Sequence, residues 1–234
     1  MTNFVLLHGA WHGGWCWARV VEILRARGHR VTTPTQTGLG ERAHLLSDWI
    51  TMTTFCEDLR LHLEFENLTD VVLVGHSFGG SPISYAAERA GDRISRLVYL
   101  DALIVLPGES PFSSIPSDVV ALRRQQAEDT SGGLTLPAPP AAAMGISRKA
   151  DAAWIERLMT AHPIRTYETK LEIVRPPGAG KPARYITCVD PVYVPLAASR
   201  ERARALGWRM EELAAGHDAM VSAPEALADM LEAG

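Results

Sequence analysis

Apolar residues along this chain fall into short unbroken runs that alternate with stretches of helical spacing. Phe4-Val5-Leu6-Leu7 runs without a polar residue and stops at His8-Gly9, as a strand buried on both faces does. Trp17 to Arg27 carries apolar residues at helical intervals and ends at Gly28, a helix stop. Arg30 to Thr33 predicts a second strand closed by Pro34, and residues 35–50 read as loop. Thr54 to Glu66 predicts a helix capped by Thr53 or Thr54. The β-branched run Asp70 to Gly75 predicts a central parallel strand, and Pro82 to Arg89 a helix with its proline in the early turns, where a missing N–H is tolerated. Further strands are expected at Ile94 to Leu100, Tyr185 to Val189 and Trp208 to Leu213, with helices at Leu196 to Ala205 and Pro224 to Ala233.

Strand and helix therefore alternate, which implies an α/β protein with a mostly parallel sheet and helices on both faces, built as a single domain over residues 1–234. Residues 104–182 break the alternation. They hold Pro107, Pro111, Pro116, Pro137, Pro139, Pro140, Pro176 and Pro177 among other prolines, an Ala-rich patch, and helix-like pieces near 119–128 and 150–161. Trp154, Ile155, Leu158, Met159 and Tyr167 make the stretch too apolar for a disordered linker. It is expected to be an ordered cap insertion over the C-terminal edge of the sheet, where open α/β sheets bind ligands.

Composition changes this picture little. A formal net charge of -4 without a long basic run argues against nucleic acid or an anionic membrane as partner. The apolar run at Phe4 to Leu7 is too short for a signal peptide or a membrane span and has no charged lead-in, so a cytoplasmic location is expected. Cys16, Cys56 and Cys188 are odd in number and scattered, which fits core packing better than disulfides or a zinc site.

The chemistry gathers at three places. Gly75-His76-Ser77-Phe78-Gly79-Gly80 fits G-x-S-x-G between a buried strand and a helix, the setting of a nucleophile elbow. A serine on that sharp turn projects its hydroxyl above the sheet, and the glycines two residues to either side avoid collision with nearby backbone. His8-Gly9-Ala10-Trp11 follows the first strand, where the second half of an oxyanion hole is expected; the donors are the N–H groups of Ala10 and Phe78. His8 and His12 flank a glycine-rich loop, not a helix. A bracing hydrogen bond is a better reading of His8 than metal ligation.

The third place is the loop Ala214 to Met220 after the last strand, where His217 is expected to be the base. His76 is a poor base, because the elbow directs adjacent side chains apart. The acid is assigned to Asp190, at the tip of the run Tyr185 to Val189, with Asp101 at the tip of Ile94 to Leu100 as the alternative. Asp218 is expected to face solvent.

FVLLHGAWHGGWCW, GLGER near 38–42, VVLVGHSFGG and GHDAMVSAPEAL together resemble the plant methylesterase and hydroxynitrile lyase family of α/β-hydrolases, with its bacterial relatives, nearly end to end. The resemblance implies the α/β-hydrolase fold, with a cap insertion after the sixth strand. It implies a catalytic set at Ser77, Asp190 and His217, and oxyanion donors at Ala10 and Phe78. Two positions lean toward the family's esterases. Gly9 stands where the lyases carry threonine, and Asp218 stands where they carry a lysine for leaving cyanide.

The expected function is that of a serine carboxylesterase with no cofactor and no metal, acting on a small ester through an acyl-enzyme on Ser77. A C–C lyase using the same groups as base, or a non-catalytic small-ligand receptor, are the alternatives. The expected partner is a small ester; a homodimer is left open. Trp11, Leu134, Leu136, Met144, Ile146 and Trp154 are the candidates to line an apolar substrate pocket.

Overall fold

The computed structural model describes residues 1–233. In chain order the elements are β1 (Asn3–Leu7), α1 (Ala18–Ala26), β2 (Arg30–Thr32), α2 (Met52–Phe65), β3 (Val71–His76), α3 (Gly80–Arg89) and β4 (Ile94–Leu100). The insertion follows, with α4 (Ser117–Ser131), β5 (Thr135–Leu136), α5 (Lys149–Leu158), β6 (His162–Pro163) and α6 (Arg165–Glu168). The chain then returns through β7 (Ala183–Cys188), α7 (Ala197–Ala205), β8 (Arg209–Leu213), α8 (Ala219–Ser222) and α9 (Pro224–Glu232).

Six strands form one sheet in the order β2-β1-β3-β4-β7-β8, and every neighbouring pair is parallel. The unbroken apolar runs are explained by its two covered faces. Phe4, Leu6, Val72 and Val74 point to one face and pack with Trp17, Val20, Leu227 and Leu231 of the α1–α9 layer. Val5, Leu7, Val71 and Leu73 point to the other and pack with Leu59, Leu63, Ile83 and Ala86 of α2 and α3. Strand alternation thus feeds two cores at once.

Two expectations need correction. The insertion leaves the sheet after the fourth strand, not the sixth, because β1 is already the direct neighbour of the elbow strand β3. The cap of α2 is Thr51, whose N–H donates to Thr54 Oγ1 at 3.1 Å, so the helix starts two residues before the expected Thr54.

The insertion is folded and packs on the loops beneath it. Its β5 and β6 pair antiparallel, and Phe112, Val120, Leu136 and Tyr167 form a core with Trp11, Phe55 and Phe78 of the underlying domain. The cap core is therefore continuous with the loops that carry the chemistry. No helix among the described residues is long and apolar enough to cross a membrane.

Candidate active site

Ser77 ends β3 at the turn into α3, with φ of 51°. A non-glycine residue in that region is strained, and here the strain lifts the hydroxyl off the strand. Close approach explains the neighbouring glycines. A Cβ on Gly79 would lie 2.8 Å from the His8 carbonyl oxygen, and one on Gly9 would lie 2.8 Å from Ser77 Cβ. The loop after β1 consequently lies directly against the serine.

Ser77 Oγ donates to His217 Nε2 at 2.9 Å, and His217 Nδ1 donates to Asp101 Oδ2 at 2.6 Å. The acid expected at Asp190 is therefore not in contact with the histidine. Asp190 is exposed, and its N–H closes a loop bond to the Ala215 carbonyl at 3.0 Å. Asp101 is fully buried at the tip of β4, the strand beside β3, and its φ of 38° turns it toward His217. The Arg200 guanidinium from α7 lies 3.6 Å from the other oxygen of Asp101. It also donates to the Tyr193 carbonyl at 3.1 Å, and the Tyr193 ring stacks on His217 with centroids 4.0 Å apart.

Three further histidines hold the loops in place. His8 Nδ1 donates to the Gly9 carbonyl at 2.8 Å, while its Nε2 accepts the Gln36 N–H at 3.1 Å, which is the pattern of a neutral ring. Burial lowers its pKa to about 3, outweighing the Gly9 hydrogen bond. The bonded carbonyl shares a peptide group with the Ala10 N–H, so His8 fixes the direction of that donor. His76 Nε2 donates to the His217 carbonyl at 3.0 Å, and burial holds its pKa well below normal. It positions the His217 backbone, and its Nδ1 has no hydrogen-bond partner among the described residues. His162, from the cap, accepts the Trp11 N–H at 3.3 Å and donates to Thr166 Oγ1 at 2.8 Å. Trp11 is also strained, with φ of 65°.

His12 and Asp218 form a buried ion pair that sequence reading missed. His12 Nε2 donates to Asp218 Oδ2 at 3.1 Å and Nδ1 donates to the Ala10 carbonyl at 2.7 Å. With both nitrogens donating, the ring is an imidazolium. Burial opposes that charge, but the Asp218 carboxylate raises the His12 pKa overall. Burial likewise opposes the Asp218 charge, yet His12 holds its pKa down at about 2. Asp218 is 0% exposed and does not face solvent as expected. The pair ties the loop after β1 to the residue following His217. His76, His217 and Asp218 offer ligand atoms within 4.8 Å of one another, but Ser77 and Asp101 already engage both nitrogens of His217.

Above Ser77 lies a cleft of about 50 Å³ lined by Trp11, Phe78, Leu103, Tyr167, Tyr193 and Arg123. A second cavity of about 330 Å³ shares Trp11, Tyr193 and Arg123 with it and is walled further out by Leu136 and Pro137 to Pro140. Of the expected pocket residues, Trp11 and Leu136 line this cavity, and Met144 lines a small void beside Ser77 and His217. The other three candidates are corrected. Trp154 packs edge-on against Trp15 at 5.4 Å and under the Arg19 guanidinium at 5.1 Å. Ile146 is buried in the α1–α9 core, and Leu134 lines a separate pocket with Ser47 and Ile50. Their apolar character serves packing under the cap, not contact with Ser77. Tyr167, Tyr193 and Arg123 were missed, because nothing local in their segments distinguishes a cleft wall from an ordinary helix or loop surface.

Fold and site together define a serine hydrolase of α/β architecture. Residues 4–230 match the alpha/beta hydrolase family, and the chain belongs to it. A carbendazim hydrolyzing esterase from a Nocardioides species is 37% identical over 100% of this chain and 99% of its own length. Methylesterase 2 of Arabidopsis thaliana is 40% identical over 47% of this chain and 42% of its own, which bears out the resemblance to plant methylesterases. Among solved structures, an extracellular alpha/beta-hydrolase from a Paenibacillus species superposes with a TM-score of 0.83 at 24% identity, covering 100% of this chain and 99% of that one. That likeness speaks for the fold.

Proposed function

We propose that this chain is a serine carboxylesterase in which Ser77 is the nucleophile, His217 the base and Asp101 the acid. The observation that carries the assignment is the hydrogen-bonded chain Ser77 Oγ–His217–Asp101, at 2.9 and 2.6 Å. Ser77 attacks the ester carbonyl while His217 Nε2 takes its proton. The Ala10 and Phe78 N–H groups receive the oxyanion, each contributing roughly 3 kcal/mol. His217 then protonates the leaving alcohol and activates water against the acyl-enzyme. Asp101 holds the tautomer that leaves Nε2 free to accept. No step in this sequence calls on a cofactor or metal.

The cleft dimensions support a small substrate, and the aromatic walls support a planar or apolar one. The esterase names of the relatives support ester hydrolysis over the lyase reading. Position 9 points the same way, since any Cβ there meets Ser77 at 2.8 Å and a threonine does not fit without displacement. The test is a panel of small methyl and aryl esters, cyanohydrins and carbendazim, assayed against wild type and Ser77→Ala. Ester turnover that vanishes in Ser77→Ala, with a fluorophosphonate adduct located on Ser77, supports the reading. Cyanohydrin cleavage without ester turnover would replace it with the lyase, and binding of panel members without any turnover with the receptor.

A further inference from the structure

Arg123, on α4 of the cap, lines both the cleft at Ser77 and the larger cavity outside it. It is the one charged side chain on either wall among the described residues. Its neighbours are mostly aromatic or aliphatic. The guanidinium lies over the Tyr167 ring, 5.8 Å from the centroid.

Several other arginines near the cap are matched by acids, and Arg157 and Arg165, which are not, are exposed to solvent and line neither cavity. Arg124, next in sequence, meets Glu168 at 2.9 Å; Arg202 meets Glu109 at 2.7 Å; Arg148 meets Asp151 at 2.8 Å. Arg123 has no carboxylate within ion-pairing distance among the described residues. The nearby acids are committed elsewhere, Asp101 to His217 and Asp218 to His12. The guanidinium is thus held near Tyr167 by a cation–π contact, and its five N–H donors exceed what one tyrosine can engage, so donors remain for a ligand.

A ligand filling the cleft strips water from that edge. If the ligand is apolar there, charged donors are left unpaired, which is costly. If it offers a carboxylate, the fork of N–H groups receives both oxygens with matching geometry. We propose that the substrate is an acidic ester, carrying a carboxylate a short chain away from the scissile carbonyl, and that Arg123 receives this carboxylate. The proposal rests on the esterase reading for its chemistry, but the recognition by Arg123 can be measured without turnover.

The test compares shape-matched pairs in which an isopropyl group replaces the carboxylate. On the acyl side these are monomethyl glutarate and methyl 5-methylhexanoate; on the alcohol side, 4-acetoxybutyrate and 4-methylpentyl acetate. Wild type should favour the acidic member of at least one pair. In Arg123→Leu the acid-to-neutral ratio of kcat/KM should fall about 10- to 100-fold, mainly through KM, since the contact is present in the ground state. Arg123→Lys should retain part of the preference, keeping charge without the fork. In parallel, binding of the acidic esters to Ser77→Ala is followed by tryptophan fluorescence, with and without Arg123→Leu. No acidic preference in wild type, or a ratio untouched by Arg123→Leu, overturns the inference while leaving the esterase intact. Binding that depends on Arg123, with no Ser77-dependent turnover of any ester, overturns the esterase and leaves the acid-binding site standing.

Discussion

Replacing Asp101 by asparagine keeps the side-chain size and removes one charge, so its effect isolates what the carboxylate does. Asp101 Oδ2 accepts the Nδ1 proton of His217 at 2.6 Å, which leaves Nε2 free to accept from Ser77 at 2.9 Å. An amide can turn its NH2 toward Nδ1. His217 then carries its proton on Nε2 and cannot accept the serine proton at all. If the amide carbonyl faces Nδ1 instead, the tautomer survives, but no negative charge supports the imidazolium that forms on attack. Arg200, 3.6 Å from Asp101 Oδ1, makes this worse by leaving a positive charge beside that imidazolium without its counter-ion. Both outcomes lower the rate, and together they should cost about 10³- to 10⁴-fold in kcat, or about 4–5.5 kcal/mol of transition-state stabilisation. Asp190→Asn alters an exposed group outside the hydrogen-bonded chain and should stay within about twofold. Steady-state hydrolysis of a small aryl ester by both variants, with thermal melts to confirm folding, reads the ranking directly. A larger loss in Asp190→Asn, or near-normal turnover in Asp101→Asn, would refute the reasoning and return the acid to Asp190.

Ser77→Ala and His217→Ala should each lower kcat by about 10⁴- to 10⁶-fold, and the double variant should lose little more, as expected of groups acting as one unit; additive losses by stopped-flow would separate their roles. The His12–Asp218 pair predicts a pH-dependent stability. Asp218 titrates at about 2 against an ordinary 3.8, so its contribution is complete above pH 3.8 and is lost as pH falls toward 2. His12 is raised above 6.5, so its contribution is complete below pH 6.5 and is lost as pH climbs through the raised value. Asp218→Asn should therefore lower Tm most between pH 4 and 6.5, by the equivalent of about 3–5 kcal/mol, and a penalty independent of pH in melts from pH 2 to 9 would contradict the ion pair. Trp154→Ala should lower Tm while leaving the ratio of kcat/KM for bulky aromatic and acetate esters near wild type, because Trp154 packs on Trp15 and Arg19 and lines no cavity at Ser77. A changed ratio would restore it as a pocket residue.

The features legible in the sequence are those written by local backbone geometry. Unbroken β-branched runs specify strands buried on two faces, and the glycines around Ser77 and after β1 specify turns that only small residues permit. The serine elbow, the loop of His217 and the loop after β1 each occupy one short segment, so each proposed role could be read from its own residues. The carboxylate that meets His217 could not. Asp101 and Asp190 both follow apolar strands, and periodicity treats them alike. The choice depends on strand order, which sets β4 beside β3, and on a strained backbone at Asp101 that no local pattern announces.

The same division runs through the cap and the buried charges. Ile146 and Trp154 were expected to line the substrate pocket because they are apolar residues of the insertion, but apolar character says nothing of which surface they meet, and they meet α1 and its neighbours. His12 and Asp218 are 206 residues apart, and either alone reads as an ordinary polar loop residue. Their pairing exists only because the loops after β1 and β8 are brought together above the sheet, away from water, where a lone charge is costly and a matched one is held. The sequence by itself determined which segments carry the chemistry. The tertiary structure decided which distant partners complete it, because burial and contact across the sheet are properties of the assembled fold and of no single segment.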